Sequence, residues 1–436
     1  MAQISTTSVA DILRISYSTE EYIAPHERFM CRSYDLMMEF ERGDDPVGAS
    51  HKFEIVTRNS HSGASVAEGS DWPTFRVPAS VQATVTARQF LTPLAFTDMM
   101  LEVAKAGGMI HAIPIVDRYA SGAVQDHHAM MNRNVIGHGT GRMAVVQDAT
   151  VTSTTAIMRN PEGTWQLREG MYVGAYDTDA GAGTLQGAVM RIVAIDDDTR
   201  TVTWAAAVTL TAGWGIYRMA SDTVGDYALG TNGIRGIVDN GTLTTTIFGL
   251  TRADYPGLNA QIVSPSTSGS QSYSEALVRQ CVNRVRRKNG MEPSHVLMNQ
   301  GMVSEHCNFL TPSRMYTVTG KGVPAYQIGQ NEDDLGVMQN GKKIPFIVDT
   351  DYPAAEMAFL TLNLFRRHTL KQAEWVGDYG EGGGSPKLLR APGTGQNFNT
   401  SVVGALQGFI NVASLMPGAN CRATSVADAE NNFPSA

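Results

Sequence analysis

Paired cysteines, a basic excess, a long apolar run and an enzyme signature are all missing from this 436-residue chain. The four cysteines, Cys31, Cys281, Cys307 and Cys421, are widely spaced and form no CxxC pair. That pattern excludes a disulfide framework or a zinc ribbon and fits reduced thiols. Lys and Arg number 34 against 42 Asp and Glu, a net charge of −8. A general nucleic-acid binder needs a basic face that releases counterions, so the balance argues against that class and leaves only a local basic cluster that could touch a polyanion. The one dense basic run, Arg284, Arg286, Arg287 and Lys288, is expected at a helix C-terminus, where cations complement the dipole. No basic stretch followed by an apolar core opens the chain, so no secretion signal is expected. The longest apolar run, residues 404–416, is too short and too broken by glycine to span a bilayer. A soluble protein made in the cytoplasm is the expectation.

What the chain does have is 42% hydrophobic residues, 43 glycines and only 17% charged residues. This is enough apolar content for two or three packed units. The charged fraction is below the ~25% usual for soluble proteins. Scarce charge suits a subunit whose surface is covered by neighbours, because interface cores are depleted of charge. A loop-rich β protein would share the same composition.

Residues 1–45 read as an extended arm with one short helix, capped by Thr7 or Ser8 and presenting Val9, Ile12 and Leu13. Residues 46–90 read as a long hairpin. Its first strand is 51–57, with Phe53 and Ile55 on one face. Its tip, 59–65, is polar and includes His61, Ser62 and Gly63, and its return strand carries Trp72, Phe75 and Val77, then Val81 and Val85. Two long strands with so few large apolar side chains are not stable alone, and their edges need cover. Phe53, Ile55, His61, Ser62, Gly63, Trp72 and Phe75 are therefore candidates for contact with a neighbouring copy.

A helix is expected from Pro93, with a stripe of Phe96, Met99, Met100 and Val103, interrupted at Gly107-Gly108. Pro114 is expected to restart it, with Ile115, Tyr119, Val124, His128, Met131 and Val135 at helical spacing and Gly137 as its C′ stop. That second helix would run about 22 residues, or ~33 Å. Residues 160–220 predict a small β unit with strands at 165–167, 171–177, 187–195, 201–204 and 215–219, turning at Asp196-Asp197-Asp198. Residues 221–395 are mixed, with a helix at 272–288 and strands at 293–299, 344–348, 357–364 and 370–376. A further strand at 402–412 precedes Pro417-Gly418, and the tail from residue 427 is polar.

Candidate chemistry is thin. Gly137-x-Gly139-x-Gly141 follows a helix, whereas a dinucleotide loop follows a strand and opens a helix. No GxxxxGK[ST] and no GxSxG occurs. His127 and His128 are adjacent and so point apart on a helix, which does not suit a metal. Asp196–Asp198 and the pair Asp349 and Asp351 match no calcium-loop spacing and are explained by turns. No catalytic, cofactor-binding or metal-ligating residue is nominated.

Three stretches carry a resemblance. Asn132-Arg133-Asn134-Val135-Ile136-Gly137-His138-Gly139-Thr140-Gly141 resembles the end of a spine helix and its Gly-x-Gly turn. Lys343-Ile344-Pro345-Phe346-Ile347-Val348-Asp349 with Met357-Ala358-Phe359-Leu360 resembles a late strand pair, and Gly408 to Ala419, ending Met416-Pro417-Gly418-Ala419, a closing strand. In this order they resemble the major capsid proteins of tailed bacteriophages, the Hong Kong 97-type fold. The resemblance implies an α+β fold with an N-arm (1–45), an E-loop hairpin (46–90), a peripheral domain around a spine helix (91–159), an inserted β unit (160–220), an axial domain (221–395) and a return strand with the tail (396–436). It implies pentamers and hexamers closing into an icosahedral shell around double-stranded DNA, without enzymatic activity. Partners would be the chain itself, a portal, and a separate scaffolding or cement protein, since only ~45 residues precede the hairpin on the strand reading. No membrane partner and no cofactor is implied. The chain would be assembled in the host bacterial cytoplasm and reside in the virion. Some relatives cross-link a hairpin lysine to a neighbour; the one hairpin lysine here, Lys52, sits at the base, so no cross-link is expected. An encapsulin-like nanocompartment subunit would share the fold, and a monomeric hydrolase or carbohydrate-binding protein built on the β unit is the reading from another class.

Overall fold

The computed structural model describes residues 40–42, 50–58, 62–66, 68, 71–75, 77, 79–97, 109–148, 151–177, 183–219, 225–265, 271–314, 336–339, 342–375, 389–392 and 398–427. The short helix expected in the arm, His61, and the Met99, Met100 and Val103 stripe lie outside these residues. The chain is a sheet-rich α+β protein that divides into two compact units. One comprises Met1–His51, Thr86–Asn132 and Arg367–Asn411; the other comprises Lys52–Val85, Arg133–Arg366 and Val412–Ala436.

The first unit is built on the strand Phe398–Ser414, 17 residues long. Its residues 401–410 pair antiparallel with the strand Arg88–Thr97. This strand corrects the helix expected from Pro93. Phe90 and Thr92 are buried while Leu91 and Pro93 are exposed, an alternation of period two rather than 3.6. Pro93 lies opposite Ala405, and among the described residues the strand pairs with Phe398–Ser414 alone. An edge strand tolerates the missing proline N–H, which a central strand would not. Asn411 Nδ2 donates to the Thr86 carbonyl at 2.6 Å and holds the strand's entry.

Helix α1 spans Met109–Ile136, 28 residues. It starts five residues before Pro114, so the proline lies inside the first turns instead of opening the helix. Val124, His128, Met131 and Val135 are buried as the periodicity predicts. Residues 133–136 of this helix belong to the second unit.

The second unit holds two six-stranded sheets. The first is antiparallel, in the order Arg142–Val145, Gly215–Arg218, Tyr172–Tyr176, Leu185–Asp196, Thr201–Leu210, Val151–Ile157. Val146, Met158, Val173, Ile192, Val202, Trp204 and Ile216 form its core. Two of its strands, Arg142–Val145 and Val151–Ile157, come from upstream of the 160–220 segment read as the β unit. The strand expected at 165–167 is a turn instead: Gly163 N donates to the Arg159 carbonyl at 3.0 Å and Leu167 N to the Thr164 carbonyl at 2.8 Å. Pro161 and Gly163 punctuate that stretch and override its apolar residues.

The other sheet is mixed, in the order Gln261–Val263, Cys421–Ala423, Met357–Leu360, His295–Met298, Lys342–Val348, Gly336–Gln339. Helix α2 is one short turn, Ile234–Ile237. Helix α3, Glu275–Asn289, packs Leu277, Val278, Cys281, Val282 and Val285 into one core with Val296, Met298, Phe346 and Phe359 of the sheet. Ser274 caps α3 by accepting from Leu277 N at 3.2 Å, and Gly290 ends it in the left-handed region at φ 68°. The basic run sits in its last turns as expected: Arg284 Nη1 donates to the Ile262 carbonyl at 2.6 Å, Lys288 Nζ donates to the Asn259 carbonyl, and Arg286 pairs with Glu292. Helix α4, Gln300–Arg314, adds Met302 and Val303 to the same core.

Candidate functional site

The hairpin places its candidate residues unequally. Strands Ser50–Arg58 and Ala79–Thr86 form a two-stranded ribbon. Ile55, Ala83 and Val85 are buried. Phe53 is half-buried and meets Phe248 edge-on at 5.7 Å, while Thr84 N donates to the Phe248 carbonyl at 3.0 Å. Phe53 and Ile55 thus cover the chain's own surface. Between the strands, Ser62 is half-buried and Gly63 exposed, and the large apolar side chains stand in solvent. Trp72 is 94% exposed, Phe75 76%, Val77 68% and Val66 56%. The return strand begins at Ala79, so Trp72, Phe75 and Val77 precede it, contrary to the sequence reading. Pro73 and Pro78 account for this, since each removes a ladder donor. Val66 escapes the sequence reading, and Val77 is read there only as a strand residue and not as a contact candidate; the signal for both is an apolar residue stranded between a polar tip and prolines.

The glycine turn after α1 is a packing device. Gly137 follows the helix, and the left-handed residues are Gly139 at φ 94° and Gly141 at φ 81°. Gly137 follows the last helical residue, Ile136, as expected of the stop, but without a left-handed φ; its N–H donates to the Arg133 carbonyl at 2.9 Å. The turn lies backbone to backbone against residues 226–236. A Cβ on Gly236 would sit 2.7 Å from the His138 carbonyl oxygen, and one on Gly230 would sit 2.6 Å from the Gly141 nitrogen. A Cβ on Gly233 would strike the Gly137 carbonyl, and one on Gly141 the Asp226 carbonyl. No phosphate is needed to explain these glycines; each makes room for another main chain. His127 and His128 are both buried, with ring planes 80° apart, and Thr92 Oγ1 lies 3.0 Å from His127 Nδ1.

Beside this turn lies a buried ionic cluster that sequence order does not reveal. Arg142 Nη2 donates to Glu162 Oε1 at 2.6 Å, and Arg235 Nη1 donates to the same oxygen at 3.1 Å. Arg235 also grips Glu356 through Nε to Oε2 at 2.9 Å and Nη2 to Oε1 at 3.0 Å. Arg422 Nη2 donates to Asp239 Oδ1 at 2.9 Å. The second Asp239 oxygen accepts the N–H groups of Gly241, Leu243 and Thr244. Burial alone would raise the Glu162 carboxyl, but Arg142 and Arg235 outweigh it and hold the group well below the usual carboxylate range. Burial, followed by Arg142 and Arg235, keeps His138 neutral far below its ordinary value. Arg252 is lowered to about 10 by burial, partly offset by Asp239. It donates to the carbonyls of Asp239 at 2.7 Å and Leu258 at 2.9 Å, and also to that of Gly236. These side chains tie α2, the antiparallel sheet and the mixed sheet into one unit.

No protein-family model and no curated protein matches the chain. Solved structures do. One chain of the cyanophage A-1(L) capsid asymmetric unit is similar at a TM-score of 0.52, with 11% identity over 90% of this chain and 93% of that one. The capsid of a native GTA particle gives 0.43, with 10% identity over 90% of each chain. A Gordonia phage Cozz structure gives 0.42, with 11% identity over 90% of this chain and 86% of that one. The chain has the fold of phage capsid proteins.

Proposed function

We propose that this chain is the major capsid protein of a tailed bacteriophage, a structural rather than catalytic subunit. Copies form pentamers and hexamers that close into an icosahedral shell around double-stranded DNA. The observation that carries this reading is the correspondence with the cyanophage A-1(L) capsid chain along nearly the full length of both. The residue-level reading supports it. Trp72, Phe75 and Val77 stand in solvent within six positions of one another, and isolated monomers rarely leave large apolar side chains so exposed together. A neighbouring copy that covers them makes a head-to-tail contact, and such contacts close into rings. In this reading α1 is the spine, residues 46–90 the E-loop, residues 221–395 the axial domain, and residues 142–219 a β unit added to the minimal fold. The subunit's net charge of −8 suits a container that holds DNA without gripping it. A portal and a separate scaffolding or cement protein complete the particle in the host cytoplasm. Electron microscopy of the expressed protein is the test. Uniform shells or hexameric rings support the reading, and dispersed monomers across a range of salt concentrations overturn it.

A further inference from the structure

Cys281 and Cys421 are far apart in the sequence and meet in one core. Cys281 lies on the buried face of α3, one turn before Val285. Cys421 opens the strand Cys421–Ala423, which pairs with Gln261–Val263 on one side and Met357–Leu360 on the other. The end of α3 is pinned to the chain just before that strand, where Asn289 Nδ2 donates to the Gly418 carbonyl. From Asn289 back to Cys281 the helix rises about 12 Å. From Gly418 on to Cys421 the chain covers up to ~10 Å. Helix and chain therefore run side by side, and the two thiols share a hydrogen bond. Both residues are fully buried and both thiols are free. The hydrogen bond, with burial behind it, pushes the Cys281 thiol well above its ordinary value, so the pair rests as thiols.

We propose that Cys281 and Cys421 form a latent disulfide site, which a small two-electron oxidant closes to fasten the strand Cys421–Ala423 to α3. Two S–H bonds break and one S–S bond forms, and the oxidant takes up two electrons and two protons. With diamide, an uncharged azo compound, the first sulfur adds to the N=N bond and the second displaces the resulting hydrazine. The thiolate is the attacking species, so closure is slow at neutral pH and quickens as pH rises. Neither sulfur reaches solvent, so the oxidant acts when the short strand opens locally, and the bond then holds that strand shut. In a reducing compartment the pair stays open. The site uses no residue of the exposed segment assigned to assembly and does not depend on the capsid reading.

The full chain, incubated with diamide, alkylated with N-ethylmaleimide and digested at acid pH for mass spectrometry, tests it. A peptide joining Cys281 to Cys421 is expected as the main linked species, and dithiothreitol should remove it. The bond closes a long loop and restricts the unfolded chain, so the oxidised protein should melt about 5 °C above the reduced one. Cys281→Ala should abolish both effects, whereas Cys307→Ala, which removes the half-buried thiol, should leave both. If Cys281→Ala does not fold, the peptide map of the wild-type chain still decides. No Cys281–Cys421 peptide, a peptide formed only in urea, or a linked chain that melts no higher than the reduced one overturns the proposal.

Discussion

Arg235 meets Glu356 with two parallel hydrogen bonds, Nε to Oε2 at 2.9 Å and Nη2 to Oε1 at 3.0 Å, in a pair almost wholly removed from water. Arg235 sits on the single turn of α2, and Glu356 immediately precedes the strand Met357–Leu360. A turn of four residues cannot hold itself in place by its own backbone bonds. The fork fixes it to the mixed sheet, and the bond from Arg235 Nη1 to Glu162 fixes it to the turn that leads into the antiparallel one. Burial disfavours the guanidinium charge, but Glu356 and then Glu162 more than compensate, so Arg235 stays charged.

Glu356→Ala is therefore expected to destabilise the subunit by about 3–5 kcal/mol, since it leaves a buried cation without its main partner. Urea denaturation followed by tryptophan fluorescence measures this. Adding Arg235→Met to Glu356→Leu should recover part of the loss, because the uncompensated charge is gone. A double variant less stable than Glu356→Ala would count against the account.

The cluster also sets a pH dependence with two windows. His138 is kept neutral in the folded chain but takes up a proton near its ordinary value of 6.5 when unfolded. Its contribution is complete above that value and is lost as pH falls below it. Glu162 is held charged far below the ordinary 4.5, so its contribution is complete above 4.5 and is lost as pH falls further. His138→Gln should flatten the stability profile between pH 6.5 and 5 while leaving the steeper acid limb. Glu162→Gln should lower stability at neutral pH and flatten the limb below 4.5. Denaturation midpoints collected from pH 7 to 3 give both slopes, and identical slopes in His138→Gln and wild type would refute the first.

The parts of the fold legible in the sequence are those where one local signal dominated. In α3, Ser274, the Leu277-to-Val285 stripe and Gly290 all point to the same helix, and it formed within three residues of the expected start. In α1, the Val124-to-Val135 stripe was readable, but Pro114 suggested a start that the chain ignores. Residues 88–97 misled because Pro93 and Phe96 also fit a helix; the pairing with residues 401–410, some three hundred positions away, decided for a strand. Helix α4 was missed although Met302, Val303 and His306 share one buried face, because Gly301 and Pro312 dilute the pattern. The ionic cluster was invisible for another reason. Arg142, Glu162, Arg235, Glu356 and Arg422 are distant in sequence, and nothing local marks a charge as buried. Of the assembly candidates, Trp72 and Phe75 are well exposed, Phe53 and Ile55 are turned to their own chain, and His61 lies outside the described residues.

The glycine contacts predict opposite signs for one substitution made at different places. Gly236→Ala puts a methyl 2.7 Å from the His138 carbonyl oxygen, and the atoms it meets are all backbone. Neither side has a flexible end to give way, so a loss of roughly 1–3 kcal/mol is expected. Gly233→Ala should cost at least as much, since its methyl meets both the Gly137 and Asn134 carbonyls. Gly122→Ala lies on α1 with nothing within 4 Å, and there the same change should add about 0.5–1 kcal/mol. Thermal melts of the three variants would separate close backbone packing from simple helix propensity. A tolerated Gly233→Ala would mean that the turn and α2 can part without loss.

The exposed segment separates folding from assembly most cleanly. Trp72 and Phe75 touch so little of their own chain that truncating either should move subunit stability by no more than about 0.5 kcal/mol. In a shell the same side chains would be buried, and a fully buried aromatic truncated at an interface core costs on the order of 2 kcal/mol or more. In a ring of copies each contact would recur, so on the proposed function the loss would multiply with copy number and assembly should fail at concentrations where the wild type forms particles. Ile55→Ala makes the contrast. That side chain is buried in the subunit, so its truncation should lower the melting temperature whether or not copies associate. Sedimentation velocity alongside thermal melts would read both properties. Trp72→Ala that melts like wild type and still forms particles at the wild-type threshold would remove the segment from the interface.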